Sequence, residues 1–325
     1  MKQRFTFLIG FIMCGASVWA QDTPEKLDCS IDLAQWAVGT TRTYQGSITL
    51  EHDRSEESLS IDFDWTLASV ETTQGGGYVM EFRAGDGFSF QAFDPYLSYT
   101  LQGHINTPPA MPKPVNIRYR ISKKGDIMTL YNLEEAVRYF APYYLHLRGM
   151  VESKVQNLEL RERLVSAINS RLGTNGIKTL YDQFIGPVHA WYGQTLVVDQ
   201  PLVRQVPGSM EVDGIGLVYY STITTTPERK GQWDISRNDQ LLTRAAQEPL
   251  REFYFGESRD RGSKETFAQL LASSSFSYWH KWDWKYDAKQ TVVTEFAFQN
   301  RQQVELITEE EGRYYRLSYS AKLKQ

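Results

Sequence analysis

Hydrophobic and polar residues alternate with a period of two between residues 43 and 131. The clearest run is IDFDWTL at 61–67. Because successive side chains of a strand point to opposite faces, this alternation predicts antiparallel strands with one face in a core and the other toward solvent. The pattern recurs near 78–82 and 97–101. The glycines at 75–77, 85 and 87 can adopt the positive φ of tight turns, so we expect a β-meander.

A proline-rich segment at 107–114 interrupts the alternation. Proline has no N–H to donate to a neighbouring strand, so this segment is predicted to be a loop or an edge crossing. Strand character resumes at 117–121. A turn is expected at Gly125-Asp126, and the region ends near Tyr131.

The hydrophobic period changes to that of a helix after Tyr131. Asn132 followed by Glu135 is an N-cap pattern, and the apolar residues that follow lie on one helical stripe. Pro142 is expected to break or kink this helix, because it lacks an N–H and its ring collides with the preceding turn.

Two further helical runs follow. The run at 154–172 has apolar residues three and four apart and Gly173 as a C-cap, and a shorter one at 177–184 is expected to stop at Gly186-Pro187. We interpret the three helices, residues 132–190, as a helical insert between two stretches of sheet.

Strand patterns return at 195–204, 214–225 and 230–235, with helical spacing around 239–247 and 264–272. The last 50 residues are predicted to form two hairpins that turn near Ala288-Lys289 and at 310–312.

The predicted fold class is therefore α+β: a mainly antiparallel, curved and meander-like β-sheet with the helical insert packed on one face. The expected divisions are 1–20 (signal peptide), 21–42 (leader), 43–131 (β region), 132–190 (insert) and 191–325 (a β-rich region that completes the same sheet or forms a second β half).

The N-terminus has the pattern of a cleavable export signal. Basic residues at 1–4 precede an apolar run at 5–15, and Val18 and Ala20 stand where signal peptidase requires small side chains, which predicts cleavage before Gln21. A membrane anchor needs roughly 20 apolar residues, more than this run provides. We therefore expect an exported protein, periplasmic or secreted, with no integral membrane segment after cleavage.

The cysteine and charge content bear on lipid anchoring and on the class of partner. A lipid anchor at Cys14 is the less favoured alternative, because the three residues before it are not small. Without residues 1–20 the chain has 33 basic and 39 acidic side chains, a formal net charge of −6. This balance disfavours nucleic acid as a partner, since such proteins concentrate Lys and Arg. Cys29 would be the only remaining cysteine, and we interpret it as structural.

Compact catalytic motifs are absent from the sequence. No Gly-x-Ser-x-Gly pattern occurs, and the five histidines are too far apart in sequence to indicate a metal site, so neither a metal nor a cofactor is predicted. Asp62 and Asp64 alternate with apolar residues and are interpreted as a solvated strand face. For an enzyme with a dispersed active site, His189, close to Trp191 and Tyr192, is the best candidate general base.

The segment 276–286, FSYWHKWDWKY, is rich in aromatic residues. As a strand it places one aromatic row on one face, which either packs against the insert or forms a groove wall for an apolar chain or a sugar ring. Trp279 falls on the other face, among charged residues. The candidate ligand-binding residues are Tyr278, Trp279, His280, Trp282, Trp284 and Tyr286.

Three functions are compatible with these features. The favoured one is a binding or carrier module that holds an apolar or amphipathic ligand against the sheet, with the insert as a plug or lid. The second is an interaction module for a protein or glycan component of the cell envelope, without a small ligand. The third is an enzyme with a dispersed active site, which the absence of motifs disfavours.

Overall fold

The computed structural model describes residues 28–30, 36–52, 59–102, 113–209, 216–229, 231–241, 275–305 and 313–324. Side chains at several strand and helix ends within these ranges are not described. The strands are β1 (Asp28–Ser30), β2 (Thr41–His52), β3 (Leu59–Thr72), β4 (Tyr78–Ala84), β5 (Ile117–Ile121), β6 (Ile127–Leu130), β7 (Thr195–Val197), β8 (Leu202–Ser209), β9 (Gly216–Arg229), β10 (Gln232–Leu241), β11 (Ser275–Asp287), β12 (Val292–Glu305) and β13 (Arg313–Leu323). The helices are α1 (Phe90–Phe93), α2 (Pro95–Gln102), α3 (Leu133–Lys154), α4 (Leu158–Leu172) and α5 (Thr174–His189).

Eleven of these strands form one antiparallel sheet. Their order is β6-β5-β4-β3-β2-β13-β12-β11-β10-β9-β8, and β1 pairs separately with β7. The pairing of β13 with β2, with Tyr319 opposite Ile48, joins the strands on both sides of the insert into one sheet. The predicted class, α+β with a mainly antiparallel sheet and a helical insert, is confirmed.

Period-two alternation located β3 and its neighbours correctly. Phe63, Trp65 and Leu67 are buried on one face of β3, and Asp62 is exposed on the other. The turn between β3 and β4 contains Gly75 and the following glycine at φ of +100° and +84°. The turn after β5 likewise uses a glycine with positive φ, at 125.

The prediction of a strand at 97–101 is wrong, because this segment lies in helix α2. Asp94 precedes the helix and its carboxylate accepts the Leu97 N–H at 3.1 Å, while Pro95 occupies the first helical position. Leu97 and Leu101 are both buried. Residues four apart share a face of a helix as well as of a strand, so their hydrophobicity alone could not distinguish the two.

The segment Gly85-Asp86-Gly87 does not form the predicted hairpin turn, because the chain continues from β4 into α1. Gly85 N–H donates to Asp64 O and Asp64 N–H donates to Asp86 O, both at 2.8 Å, so the chain still runs along β3. A Cβ at Gly85 would lie 2.7 Å from the Asp64 carbonyl oxygen. This glycine therefore permits a close backbone approach.

Helix α3 begins at Leu133 as predicted, but Asn132 does not cap it. Its side-chain oxygen accepts the Arg118 N–H at 2.9 Å, and its amide donates to Asn116 O at 2.9 Å, which ties the helix start to β5. Of the break or kink expected at Pro142, the break does not occur. Pro142 is exposed within a helix that continues to Lys154, and the Arg138 carbonyl that loses its N–H partner lies on the exposed side, where water can bind it.

Helices α4 and α5 agree with the predicted second and third helices, with two differences. Gly173 follows α4 as predicted, but with extended backbone, φ −74° and ψ 173°, rather than a left-handed cap. Helix α5 runs to His189 instead of stopping at Gly186-Pro187. A proline in the last turn removes a single hydrogen bond of the helix, so two further residues remain helical.

The C-terminal strands are longer than predicted. Residues 239–241, predicted as helical, continue strand β10 instead. The remainder of that segment, the predicted helix at 264–272, the turn at 310–312 and most of the proline-rich segment lie outside the described residues. The turn at Ala288-Lys289 joins β11 to β12 as predicted.

The insert packs on one face of the sheet through α5. Phe184 lies within 4.9–6.0 Å, between ring centroids, of Phe63 and Trp65 of β3, Phe88, and Tyr319 of β13. Within the ranges that the structure describes, no helix is long and apolar enough to cross a bilayer.

The contacts of α5 indicate that the sheet is curved. Phe184 contacts Phe82 of β4 at 6.2 Å between ring centroids, and three residues later Pro187 O accepts a hydrogen bond from Trp284 of β11 at 3.0 Å. In a flat sheet the five strand spacings between β4 and β11 would span ~24 Å. One short stretch of α5 reaches both strands because the sheet wraps around it.

Candidate functional site

A groove of about 390 Å³ lies between α5 and the face of the sheet that α5 packs against. We call it the α5 groove. Its sheet side is mostly apolar and is formed by Ile48, Trp282, Trp284, Phe298 and Tyr319. Its helix side includes Phe184, Gly186, Pro187, Ala190 and Trp191. Helix α5 thus covers one part of the sheet closely and leaves a space beside it.

A single cross-strand row forms most of the groove's sheet side. The pairs Ile48–Tyr319, Tyr319–Phe298 and Phe298–Trp282 are direct neighbours on β2, β13, β12 and β11. The row continues to Arg237 of β10, opposite Trp282. Directly opposite residues of an antiparallel pair share a face, so the row aligns aromatic rings along the groove and ends at a guanidinium.

Trp284 attaches the sheet to the end of α5. Its indole N–H donates to Pro187 O at 3.0 Å, its ring meets Trp191 edge-on at 5.0 Å, and it stacks with Trp282 at 5.5 Å and 12° between planes. The last four carbonyls of a helix have no partner within the helix, and Pro187 is within that last turn. The indole therefore satisfies a carbonyl that would otherwise need water.

The groove is polar on its β8–β10 side. Arg237 and Asp239 form a two-point ion pair, with Nε to Oδ1 at 2.9 Å and Nη2 to Oδ2 at 2.7 Å. Asp239 is buried, and Arg237 retains partial exposure. Arg204 of β8 lines the same side, is exposed, and has no ion pair or hydrogen bond with any described residue. This side therefore carries one guanidinium whose charge is not compensated by any part of the chain that the structure describes.

The helical end of the groove holds a second buried ion pair. Both Nε and Nη2 of Arg171 donate to the fully buried carboxylate of Asp94, each at 2.9 Å. Asp182 lines the groove one turn before Gly186, and burial, opposed by nearby Lys178, raises the pKa of its carboxyl group. The charge of Arg171 at this end is therefore balanced by Asp94, and Asp182 is a separate acidic group there.

The predicted ligand-binding residues are separated by the structure into several environments. Trp282 and Trp284 line the α5 groove. His280, in the next row of β11, has its ring 5.0 Å from that of Tyr219. Tyr286 is fully buried and does not line the groove, and Trp279 is half-buried on the opposite face of the sheet. The side chain of Tyr278 lies outside the described part of the structure.

Several groove residues were not predicted from the sequence. Arg204, Arg237 and Ala190 lie in segments without a motif, and their proximity depends on strand order. One signal was present: in β10, Arg237 and Asp239 follow Ile235 at intervals of two, which places two charged residues on the buried face. Charged residues on an apolar strand face are expected to be paired or to face a site.

His189, the candidate general base, is buried, and its ring lies 5.8 Å from that of Trp36 and 5.7 Å from that of Tyr192. Its Nε2 is 2.9 Å from Tyr119 Oη, and no carboxylate among the described residues bonds to it. Burial, together with the positive charge of Arg42, lowers the pKa of His189 to about 3. A group with this pKa is a weak base at neutral pH, and it does not line the groove, so the geometry does not support a catalytic role.

Metal-binding clusters are not evident in the described ranges: no group of three or more His, Cys, Asp or Glu side chains there could hold an ion. The arrangement of the α5 groove, with aromatic walls and one polar side, suits non-covalent binding.

Comparison with known proteins adds little to this picture. No protein-family model and no curated protein matches the chain. Among solved structures, a DUF1329 family protein from Desulfovibrio piger is similar to this chain. The alignment covers 89% of this chain and 87% of that protein, at 10% sequence identity and a TM-score of 0.16. A likeness of this size carries no inference about fold or function.

Proposed function

We propose that this protein binds an apolar or amphipathic ligand in the α5 groove and acts as a binding or carrier module. The groove's volume of about 390 Å³ falls within the ~300–1,000 Å³ typical of small-molecule sites. Its walls combine aromatic side chains with a few polar groups, which is also typical of such sites. The N-terminal export pattern supports the further proposal that the protein acts after export.

The observation that carries this proposal is the incomplete cover over the aromatic row. Phe184 and Pro187 pack α5 against Tyr319 and Trp284. Trp282, on β11 directly opposite Phe298 of β12, is only half-buried. Covering apolar surface stabilises a complex by ~25 cal/mol per Å². A ligand chain lying over Trp282 would obtain this contribution with no rearrangement of the helices.

Glycine 186 offers a way to fill the groove selectively. Gly186 is on the groove side of α5, and no atom lies within 4 Å of where its Cβ would be. A Gly186→Leu side chain would therefore extend into the groove without a backbone collision. Gly149 is the matched control, because it is an exposed helical glycine in α3 with equally open surroundings. Leucine is a better helix former than glycine, but Gly186 precedes Pro187, whose ring disfavours a helical residue that carries a Cβ, so the folding of this variant is checked separately.

Native mass spectrometry of protein purified from its own host tests the proposal. We expect wild type and Gly149→Leu to retain an adduct that is released by organic solvent and identified as a lipid or other amphiphile. Gly186→Leu should lose most of that adduct while keeping a cooperative unfolding transition and the wild-type circular dichroism spectrum. An adduct of equal abundance in Gly186→Leu, or no adduct in wild type combined with no binding of added amphiphiles, would refute the proposal.

A further inference from the structure

The inner face of the sheet changes from apolar to polar along the strand direction at the groove. The row that contains Ile48, Tyr319, Phe298 and Trp282 is apolar as far as Arg237. The next row, two residues along each strand, is polar on its β11–β8 side and consists of His280, Asp239, Ser221 and Arg204. The groove wall is thus itself amphipathic, with the polar group concentrated where α5 does not reach.

Arg237 is held in position by its ion pair. Asp239 is two residues after Arg237 on the same face of β10, and its carboxylate accepts hydrogen bonds from Nε and Nη2 of the guanidinium. A guanidinium has five N–H donors, so several remain for a ligand oxygen. Because Asp239 is buried and both of its oxygens are engaged, the arginine is oriented before any ligand arrives, which lowers the entropic cost of binding.

Arg204 provides the excess positive charge on the polar side of the groove. The positive charges of Arg171 and Arg237 are balanced by Asp94 and Asp239, respectively, whereas no described residue pairs with Arg204. Among the described residues, the polar side of the groove therefore has an excess positive charge next to an aromatic wall, and the acidic Asp182 lies at the helical end. An anionic oxygen group attached to an apolar chain has the complementary charge distribution.

We infer that the ligand of the α5 groove is an anionic amphiphile, whose carboxylate or phosphate group is bound by Arg204 and Arg237 and whose apolar chain lies along Trp282 and Trp284. This inference rests on the proposed function and specifies its ligand class. It also fixes the orientation of the ligand, with the head toward β8 and the chain toward the end of α5.

Three amphiphiles with the same ten-carbon chain test this inference by isothermal titration calorimetry: decanoate, decyl phosphate and the neutral decanol. We expect both anions to bind about three- to tenfold more tightly than decanol at low salt, between the effects of an exposed ion pair and of a buried charge-assisted hydrogen bond. The difference should narrow as salt screens the charges. Acetate and inorganic phosphate should bind far more weakly, because they lack the chain.

Arg204→Gln is the decisive variant, with Arg138→Gln as its matched control. Arg138 is exposed on α3, away from the groove, and its substitution removes the same charge. Arg204→Gln should abolish the preference for the anions and leave decanol binding unchanged, and Arg138→Gln should leave all affinities unchanged.

The possible failures are distinguishable. If decanol binds as tightly as decanoate, or if Arg204→Gln leaves the preference intact, the head-group assignment is wrong while binding in the groove stands. If none of the three chains binds, or if acetate and phosphate bind as tightly as the amphiphiles, the proposed function fails and the assignment fails with it.

Discussion

The buried imidazole of His189 should make the protein less stable in mild acid. In the folded chain the imidazole is neutral and enclosed by Trp36, Tyr119 and Tyr192, and its pKa is lowered to about 3, chiefly by burial and secondarily by the charge of Arg42. In the unfolded chain the imidazole has its ordinary pKa near ~6.5. Above that value neither state binds a proton, so the free energy of unfolding is unaffected. Below it only the unfolded state binds a proton. The free energy of unfolding therefore decreases as the pH is lowered from about 6.5 to about 3.

The size of the effect follows from the pKa difference. Each pH unit within the window removes ~1.4 kcal/mol from the free energy of unfolding. Between pH 7.5 and pH 5 this amounts to about 2 kcal/mol from His189 alone. Most carboxyl groups titrate below pH 5. A measurement between pH 7.5 and pH 5 therefore separates the effect of the imidazole on stability from the effects of the carboxyl groups.

Urea unfolding monitored by tryptophan fluorescence at half-unit steps from pH 7.5 to 5 measures this loss. His189→Gln cannot be protonated in this range and keeps an acceptor for Tyr119 Oη, so its stability should vary about 2 kcal/mol less than that of wild type over the same range. His146→Gln, at an exposed position of α3, is the matched control. Equal pH dependence in wild type and His189→Gln would refute the assignment of a neutral, buried imidazole.

Three further substitutions test the packing around the groove by chemical denaturation. Asp94→Ala should lower the free energy of unfolding by about 3–5 kcal/mol, because it leaves Arg171 partly buried without its carboxylate; no loss would show the pair to be unimportant. Trp284→Phe should cost about 1–3 kcal/mol, because the Pro187 carbonyl loses its donor, and a neutral result would contradict this bond. Gly46→Ala should cost about 1–3 kcal/mol, since its Cβ would lie 2.7 Å from the Trp65 ring, and the control Gly149→Ala, with open surroundings, should not destabilise.

Local patterns predicted those parts of the fold in which one period fits one structure. The run at 61–67 alternates strictly, so only a strand buries its aromatic residues together. Leu97 and Leu101 fit both a strand and a helix, and the capping by Asp94 decided in favour of the helix. At Asn132 the sequence indicated the helix start correctly, but the side chain bonds to β5, a contact that depends on tertiary structure.

The candidate site was predictable only in part, for a similar reason. Trp282 and Trp284 stood out because they occur together in a short aromatic segment. Arg204 lies 78 residues before Trp282 in the chain, and its place beside the groove results from the pairing of β8, β9, β10 and β11. Strand order and register therefore had to be known before the polar side could be assigned.

Photo-crosslinking with a decanoate analogue that carries a diazirine near the end of its chain tests directly whether the ligand lies in the α5 groove. After irradiation and digestion, we expect the modified peptides to come from residues 184–191 and 282–284, and modification to fall sharply in Gly186→Leu but not in Gly149→Leu. Crosslinks concentrated instead on exposed apolar residues away from the groove, such as Leu145 of α3, and unaffected by Gly186→Leu, would contradict binding in the α5 groove.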